Sequence, residues 1–265
     1  MAVLKLNNIS FSYRQQHIFN QVSLQFGAGK LIGIVGPNGC GKSTLLKLLA
    51  RQIQPDTGDI LVKGKALHRY STKSLACEIA FLPQNPISPL GITVEQLLQY
   101  GRHPHQSWFN QWGKEDRDSV DAATQLLGLA DYLHRPLAEL SGGQRQRAWL
   151  GMILAQDTDI VLLDEPTSAL DIGHQVEVME CISHIASMGK TVVLVIHDLA
   201  AAARYCNEVI ALRDGAIVAN GTAKSVVTET LVAQLFDTHV DILYAPQDDA
   251  PVIVPRRKYL HSEPM

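Results

Sequence analysis

Apolar and polar residues alternate over residues 3–9 and again over 22–26, the period-two pattern of half-buried strands. Residues 31–35 break that alternation. LIGIV is a continuous apolar run, suited to a strand buried on both faces. It leads straight into Gly36, and an apolar-rich helical stretch follows over 43–51. Residues 58–63 and 78–82 predict two further strands. From about Asn85 the pattern changes. Pro86, Pro89 and Gly91 mark a loop, and 94–100, 116–127 and 142–155 predict helices. Residues 85–156 therefore read as a helical insertion. Strands return over 160–163, 191–196 and 209–212, with a helix over 175–186 between the first two. Strand, helix, strand with apolar runs is the pattern of parallel crossovers. The expectation is an α/β fold with a domain over 1–243. A Pro-rich tail over 244–265 is expected to be irregular.

Composition narrows the class. Hydrophobic residues make up 46% of the 265, enough for a large core, and charged residues only 18%. There are 23 basic and 26 acidic side chains, a formal net of −3. That excludes a disordered or strongly basic chain and argues against nucleic acid as a partner. The most apolar stretch, 192–203, is interrupted by His197 and Asp198, short of the roughly 18 residues a membrane helix needs. The first residues carry no apolar core of a secretory leader, so none is expected. Cys40, Cys77, Cys181 and Cys206 lie far apart without a C-x-x-C pair. A disulfide or zinc framework is not expected, and a reducing compartment fits. His103 and His105 form an H-x-H without a third ligand nearby, which favours ordinary surface histidines over a metal site.

The chemistry concentrates after the LIGIV run. Gly36, Pro37, Asn38, Gly39, Cys40, Gly41, Lys42, Ser43 and Thr44 fit G-x-x-x-x-G-K-[ST], between a strand and a helix. Glycines let successive backbone N–H groups curl around phosphate oxygens, and the helix N-terminus adds its positive dipole end. Lys42 supplies a mobile charge for the β/γ-phosphates, and Ser43 offers a hydroxyl to Mg²⁺. Cys40 is expected to be a small filler. A nucleotide and Mg²⁺ are therefore the expected ligands. Asp164 and Glu165 follow the apolar run 160–163, at the strand end where open α/β sheets bind ligands. Asp164 is placed to hold Mg²⁺, and Glu165 to orient or deprotonate an attacking water. A second candidate anion site is Leu140-Ser141-Gly142-Gly143-Gln144, where Ser141 is a good N-cap for the helix that follows.

The order of these pieces is P-loop, LSGGQ, IVLLDEP, SALD and a strand ending in His197. It resembles the ATP-binding-cassette ATPases over residues 2–240. The resemblance implies a mostly parallel core sheet, an antiparallel β subdomain and a helical subdomain at about 85–156. It implies that Ser141, Gly142, Gly143 and Gln144 meet the γ-phosphate held by the P-loop of a second, identical subunit. Asp171 of SALD matches the D-loop, which communicates across that dimer. Gln84 of FLPQ matches the Q-loop, which touches Mg²⁺ or the water and links to the helical subdomain. His197 matches the switch histidine near the γ-phosphate, and Tyr13 of FSY matches the aromatic that stacks on adenine.

Stretches 91–105, 139–175 and 196–221 resemble the ATPase subunits of bacterial iron–siderophore importers, a family that also serves haem and cobalamin. That resemblance implies a homodimer of ATPase subunits, two membrane permease subunits and a periplasmic or lipoprotein substrate-binding protein. The chain would act peripherally at the cytoplasmic face of the inner membrane. A haem or cobalamin importer, and a soluble cassette of iron–sulfur assembly, remain alternatives. An apolar docking surface is expected around residues 84–105.

Overall fold

The computed structural model describes residues 2–106, 112–246 and 249–256. Strands β1 (Ala2–Tyr13), β2 (Gln16–Gly27), β4 (Thr57–Val62) and β5 (Lys65–Ala66) form an antiparallel sheet in the order β2-β1-β4-β5. A second sheet runs β10-β9-β3-β8-β7-β6. Its members are β3 (Leu31–Val35), β6 (Ile79–Leu82), β7 (Ile160–Asp164), β8 (Thr191–Val195), β9 (Glu208–Arg213) and β10 (Ala216–Gly221). Every pairing in it is parallel except β10 with β9.

The continuous apolar runs have a simple cause. Ile32 and Ile34 of β3, Ile160 and Leu162 of β7, and Val193 and Val195 of β8 pack with the antiparallel sheet and α1 (Lys42–Leu49). Their neighbours Leu31, Val35, Val161, Leu163, Val192 and Leu194 enter a second core on the opposite face. Both faces of the sheet are covered, so no polar alternation survives. The second core also holds apolar residues of α3 (Val94–Gly101), α4 (Lys114–Leu126), α5 (Gly142–Ala155) and α6 (Ile172–Ser187). The first three are the expected helical insertion.

A buried ion pair ties that insertion together. Arg102, just after α3, donates from Nε to Asp116 Oδ1 of α4 at 2.9 Å and from Nη1 to the carbonyl of Ala155 at 2.8 Å. Burial alone would raise the Asp116 carboxyl. The Gly113 N–H and the Arg102 guanidinium outweigh it and hold the group below its usual range. Gln156 anchors the base of α5 to the sheet edge, donating to the carbonyl of Ala76 at 2.7 Å. Ala76 ends the short helix α2 (Thr72–Ala76).

Two expectations differ from the structure. The first two strands run 12 residues each, longer than the alternation suggests. Irregularities with positive φ at Asn8 (49°) and Gln21 (52°) let the pairing continue where the pattern falters. The expected irregular tail contains a strand: β12 (Pro251–Pro255) pairs antiparallel with β11 (Val240–Tyr244), so the hairpin spans the expected boundary at 243. Both prolines sit at the ends of β12, where a missing N–H costs the ladder least. Three short helices lie outside the expected pattern: α7 (Leu199–Tyr205) between β8 and β9, and α8 (Ala223–Val226) and α9 (Glu229–Phe236) between β10 and β11.

Candidate active site

Three adjacent parallel strands end at one place. Gln84 follows β6, Asp164 ends β7 with Glu165 beyond it, and His197 follows β8. Carboxyl ends of parallel strands are where α/β sheets bind ligands. The fourth contributor is the loop after β3. Gly36 and Gly41 there take φ of 150° and 106°. A Cβ on Gly36 would lie 2.1 Å from the Leu212 carbonyl oxygen, and one on Gly41 2.8 Å from Phe19 Cζ. Both positions exclude a side chain sterically as well as conformationally.

Lys42 opens α1 and is only 5% exposed. Its ammonium donates to the carbonyls of Gly36 and Pro37, each at 2.9 Å. Ser43 Oγ donates to Asp164 Oδ1 at 2.9 Å. Asp164 is 2% exposed. Burial pushes its carboxyl up, the Ser43 hydroxyl opposes the rise, and the Glu165 charge adds to it. A buried carboxylate with a hydroxyl beside it is an all-oxygen set of the kind Mg²⁺ prefers, and a cation would offset the cost of burying its charge.

Glu165 takes a φ of 51°, which breaks β7 one residue after Asp164. Both its carboxylate oxygens are engaged. Gln84 Nε2 donates to Oε2 at 2.6 Å, and His197 Nε2 pairs with Oε1. A cavity of about 480 Å³ lies over this cluster. Asn38, Gly39, Gly41, Lys42, Ser43 and Thr44 line it, with Ile18, Gln84, Glu165 and His197. A second cavity adjoins it at Gly36, Pro37, Asn38 and His197. Cys40 is buried, and burial pushes its thiol up, which suits a filler.

Tyr13 is not among the described residues lining the P-loop cavity. It is exposed and meets Phe11 edge-on at 4.8 Å. Ile18 of β2 lines that cavity, beside Gly41. Nothing in the alternation of β2 distinguishes Ile18 from its neighbours.

The LSGGQ segment forms the first turn of α5. Ser141 is its N-cap, accepting from the Gln144 N–H at 3.3 Å, while Gln144 Oε1 accepts from the Ser141 N–H at 3.0 Å. This reciprocal pair is a capping box. Asp171 caps α6, accepting from the His174 N–H at 2.9 Å. That N–H, with the His174 side chain, holds the Asp171 carboxyl below its usual range. Ser141, Gly142, Gly143, Gln144 and Asp171 are not among the residues lining the P-loop cavity. His103 and His105 do not act together: His103 stacks on Tyr100, and His105 Nε2 bonds the carbonyl of Gln156 at 2.7 Å.

Known proteins resemble this chain in sequence and fold. Residues 19–168 match the sequence profile of the ABC transporter family. The chain is 41% identical over 253 residues to the iron(3+)-hydroxamate import ATP-binding protein FhuC of Bacillus subtilis, covering 95% of this chain and 94% of that protein. It is 40% identical over 256 residues to the ferric enterobactin transport ATP-binding protein FepC of Escherichia coli, covering 96% and 94%. A solved chain from a metal-chelate type ABC transporter in an inward-facing conformation superposes with a TM-score of 0.84 at 29% identity, over 97% of this chain and 99% of that one. The chain belongs to the ABC transporter family, as one of its ATP-hydrolysing cassettes.

Proposed function

We propose that the chain energises uptake of iron(III)–siderophore complexes through separate membrane permease subunits. The observation that carries the catalytic part is the Glu165 carboxylate, held between Gln84 and His197 beside the P-loop cavity. The support for the cargo is the naming of relatives such as FhuC and FepC, matched over almost their whole length.

ATP binds with its phosphates in the 36–44 loop. Lys42 then exchanges two backbone carbonyls for phosphate oxygens, a stronger charge-assisted pairing. Ser43 and Asp164 would hold Mg²⁺, with Gln84 lining the same cavity, and the ion would supply positive charge against that of the phosphates. Glu165 accepts the proton of the attacking water. Each oxygen carries one donor and keeps a further lone pair for the water, so Gln84 and His197 hold the carboxylate aimed while it accepts the proton.

The LSGGQ turn completes the site on a second copy of the chain, giving a homodimer with two composite ATP sites. Each cassette contacts one permease subunit, and a periplasmic or lipoprotein binding protein delivers cargo from the other side. Leu90 and Ile87 stand almost fully exposed beside a groove of about 700 Å³ that includes Tyr100 and Trp112. The groove mixes apolar side chains with the polar Gln96, Gln99 and His103, which suits an amphipathic helix of the permease. Among the described residues no helix is long and apolar enough to cross a membrane. The reading places the cassette peripherally, at the cytoplasmic face of the inner membrane.

Replacing the chromosomal copy by Lys42→Ala tests the proposal. Uptake of radiolabelled iron–siderophore should be lost and iron-limited growth with it. Unchanged uptake of every siderophore tried, with loss of haem or cobalamin uptake instead, would overturn the siderophore assignment.

A further inference from the structure

His174 is joined to two motifs at once. Its ring lies against the first turn of α5: a Cβ added to Gly143 would stand 2.1 Å from His174 Cδ2 and 2.7 Å from Cγ. Its Nδ1 meets Asp171 Oδ2 at 2.8 Å, and its backbone N–H donates to the other oxygen, Oδ1, at 2.9 Å. The Asp171 carboxylate is therefore gripped at both oxygens by one residue whose ring also fills the space over Gly143. A second contact runs beside it, since a Cβ on Gly142 would meet Leu170 Cδ2 at 3.3 Å. The backbone gap at Gly143 is filled by this imidazole, so neither turn can shift alone without opening a void or breaking the hydrogen bond.

We infer that His174 is a positioning residue that locks the D-loop carboxylate Asp171 to the LSGGQ turn of its own subunit. The inference rests on the proposed homodimer, in which that turn meets the partner's γ-phosphate. Displacement of Gly143 by the phosphate carries the imidazole with it, and the imidazole carries Asp171. The D-loop thus reports occupancy of one composite site to the other. The hydrogen bond sets the direction of the carboxylate, and the ring sets its distance from α5.

Three variants of the full chain separate these roles. His174→Ala removes ring and donor. His174→Asn keeps a donor near the place of Nδ1. His174→Phe keeps a ring over Gly143 but donates nothing. The readouts are kcat, the Hill coefficient for ATP hydrolysis and nucleotide affinity by direct titration. Ala should lower kcat about tenfold, the effect of roughly one lost hydrogen bond with its packing. The Hill coefficient should fall toward the non-cooperative limit, with nucleotide affinity unchanged. Asn, which restores the hydrogen bond but not the ring contact, should recover part of the tenfold loss in kcat and leave the Hill coefficient low, and Phe should recover neither. Unchanged cooperativity in Ala, or equal recovery by Phe and Asn, overturns the inference; if Ala does not fold, the Asn and Phe pair still decides. Glu165→Gln with wild-type His174 is the control. Failure of that protein to dimerise on ATP refutes the homodimer, whereas its dimerisation with unaltered cooperativity in the His174 variants refutes only the lock.

Discussion

The P-loop face and the LSGGQ face are built by different kinds of contact. At the P-loop, distant segments meet: Ser43 bonds Asp164, Gln84 bonds Glu165 across 81 positions of sequence, and His197 closes on the same carboxylate. At the LSGGQ turn, the capping bonds are local. Ser141 and Gln144 satisfy each other three positions apart, and so do Asp171 and His174. A local cap forms with its own helix, whereas the P-loop cluster exists only once the whole sheet is folded. One face is an assembled reaction chamber. The other is a finished surface whose backbone donors address no residue of that chamber. A composite site made from two copies is the economical way to use both.

Glu165→Gln tests the chamber, and the largest effect is expected there. The amide keeps the shape of the carboxylate and can still meet His197 and Gln84. It cannot take a proton. Turnover should fall by about 10³-fold, within the usual range for loss of a general base, while ATP still binds. Size-exclusion chromatography with ATP should show a persistent dimer. Turnover within a few-fold of wild type would remove Glu165 from the base role and leave the chamber without its proton acceptor.

The two faces were also unequally legible in the sequence. Phosphate chemistry is written locally, as glycines, a lysine and a hydroxyl at fixed spacing, so positions 36–44 needed no fold to be read. The same holds for Ser141 as a cap. Asp164 and Glu165 were readable because a buried strand runs directly into them. What spacing does not carry is which long-range partners close on them. That Gln84 and His197 both grip Glu165 follows from β6, β7 and β8 being neighbours, an order set by sheet topology. Ile18 shows the same limit: the position of β2 brings it to the P-loop cavity, which alternation does not reveal, whereas Tyr13 is read from the family resemblance alone. Proline content concealed the C-terminal hairpin because composition does not say that both prolines fall at strand ends.

Gly143→Ala tests the LSGGQ face directly. A single methyl group would lie 2.1 Å from the His174 ring, so the ring or the turn must move. Displacement of a catalytic element by about an ångström costs roughly 100-fold in rate. Nucleotide binding to the P-loop cavity should be unaffected, because Gly143 does not line it. Loss of nucleotide affinity by the monomer, in parallel with rate, would mean that the two faces are coupled within one subunit, and the comparison would fail.

Ser141→Ala is the mildest probe and separates two uses of one hydroxyl. As an N-cap, Ser141 accepts the Gln144 N–H at 3.3 Å, and its removal should cost about 1 kcal/mol of stability. Gln144 Oε1 still accepts the Ser141 backbone N–H, so half of the capping box survives and α5 stays formed. If capping were its whole purpose, Asn or Asp at 141 would serve equally well. An aspartate, however, places a negative charge where the proposed homodimer brings the partner's γ-phosphate. Ser141→Asp should therefore keep the melting temperature of the wild type and lose turnover. Ser141→Ala should lose some melting temperature and only about fivefold in kcat, the rate equivalent of roughly 1 kcal/mol. If both variants tracked stability alone, the LSGGQ turn would be a helix cap and nothing more, and the contrast between the two faces would reduce to one working face and one inert one.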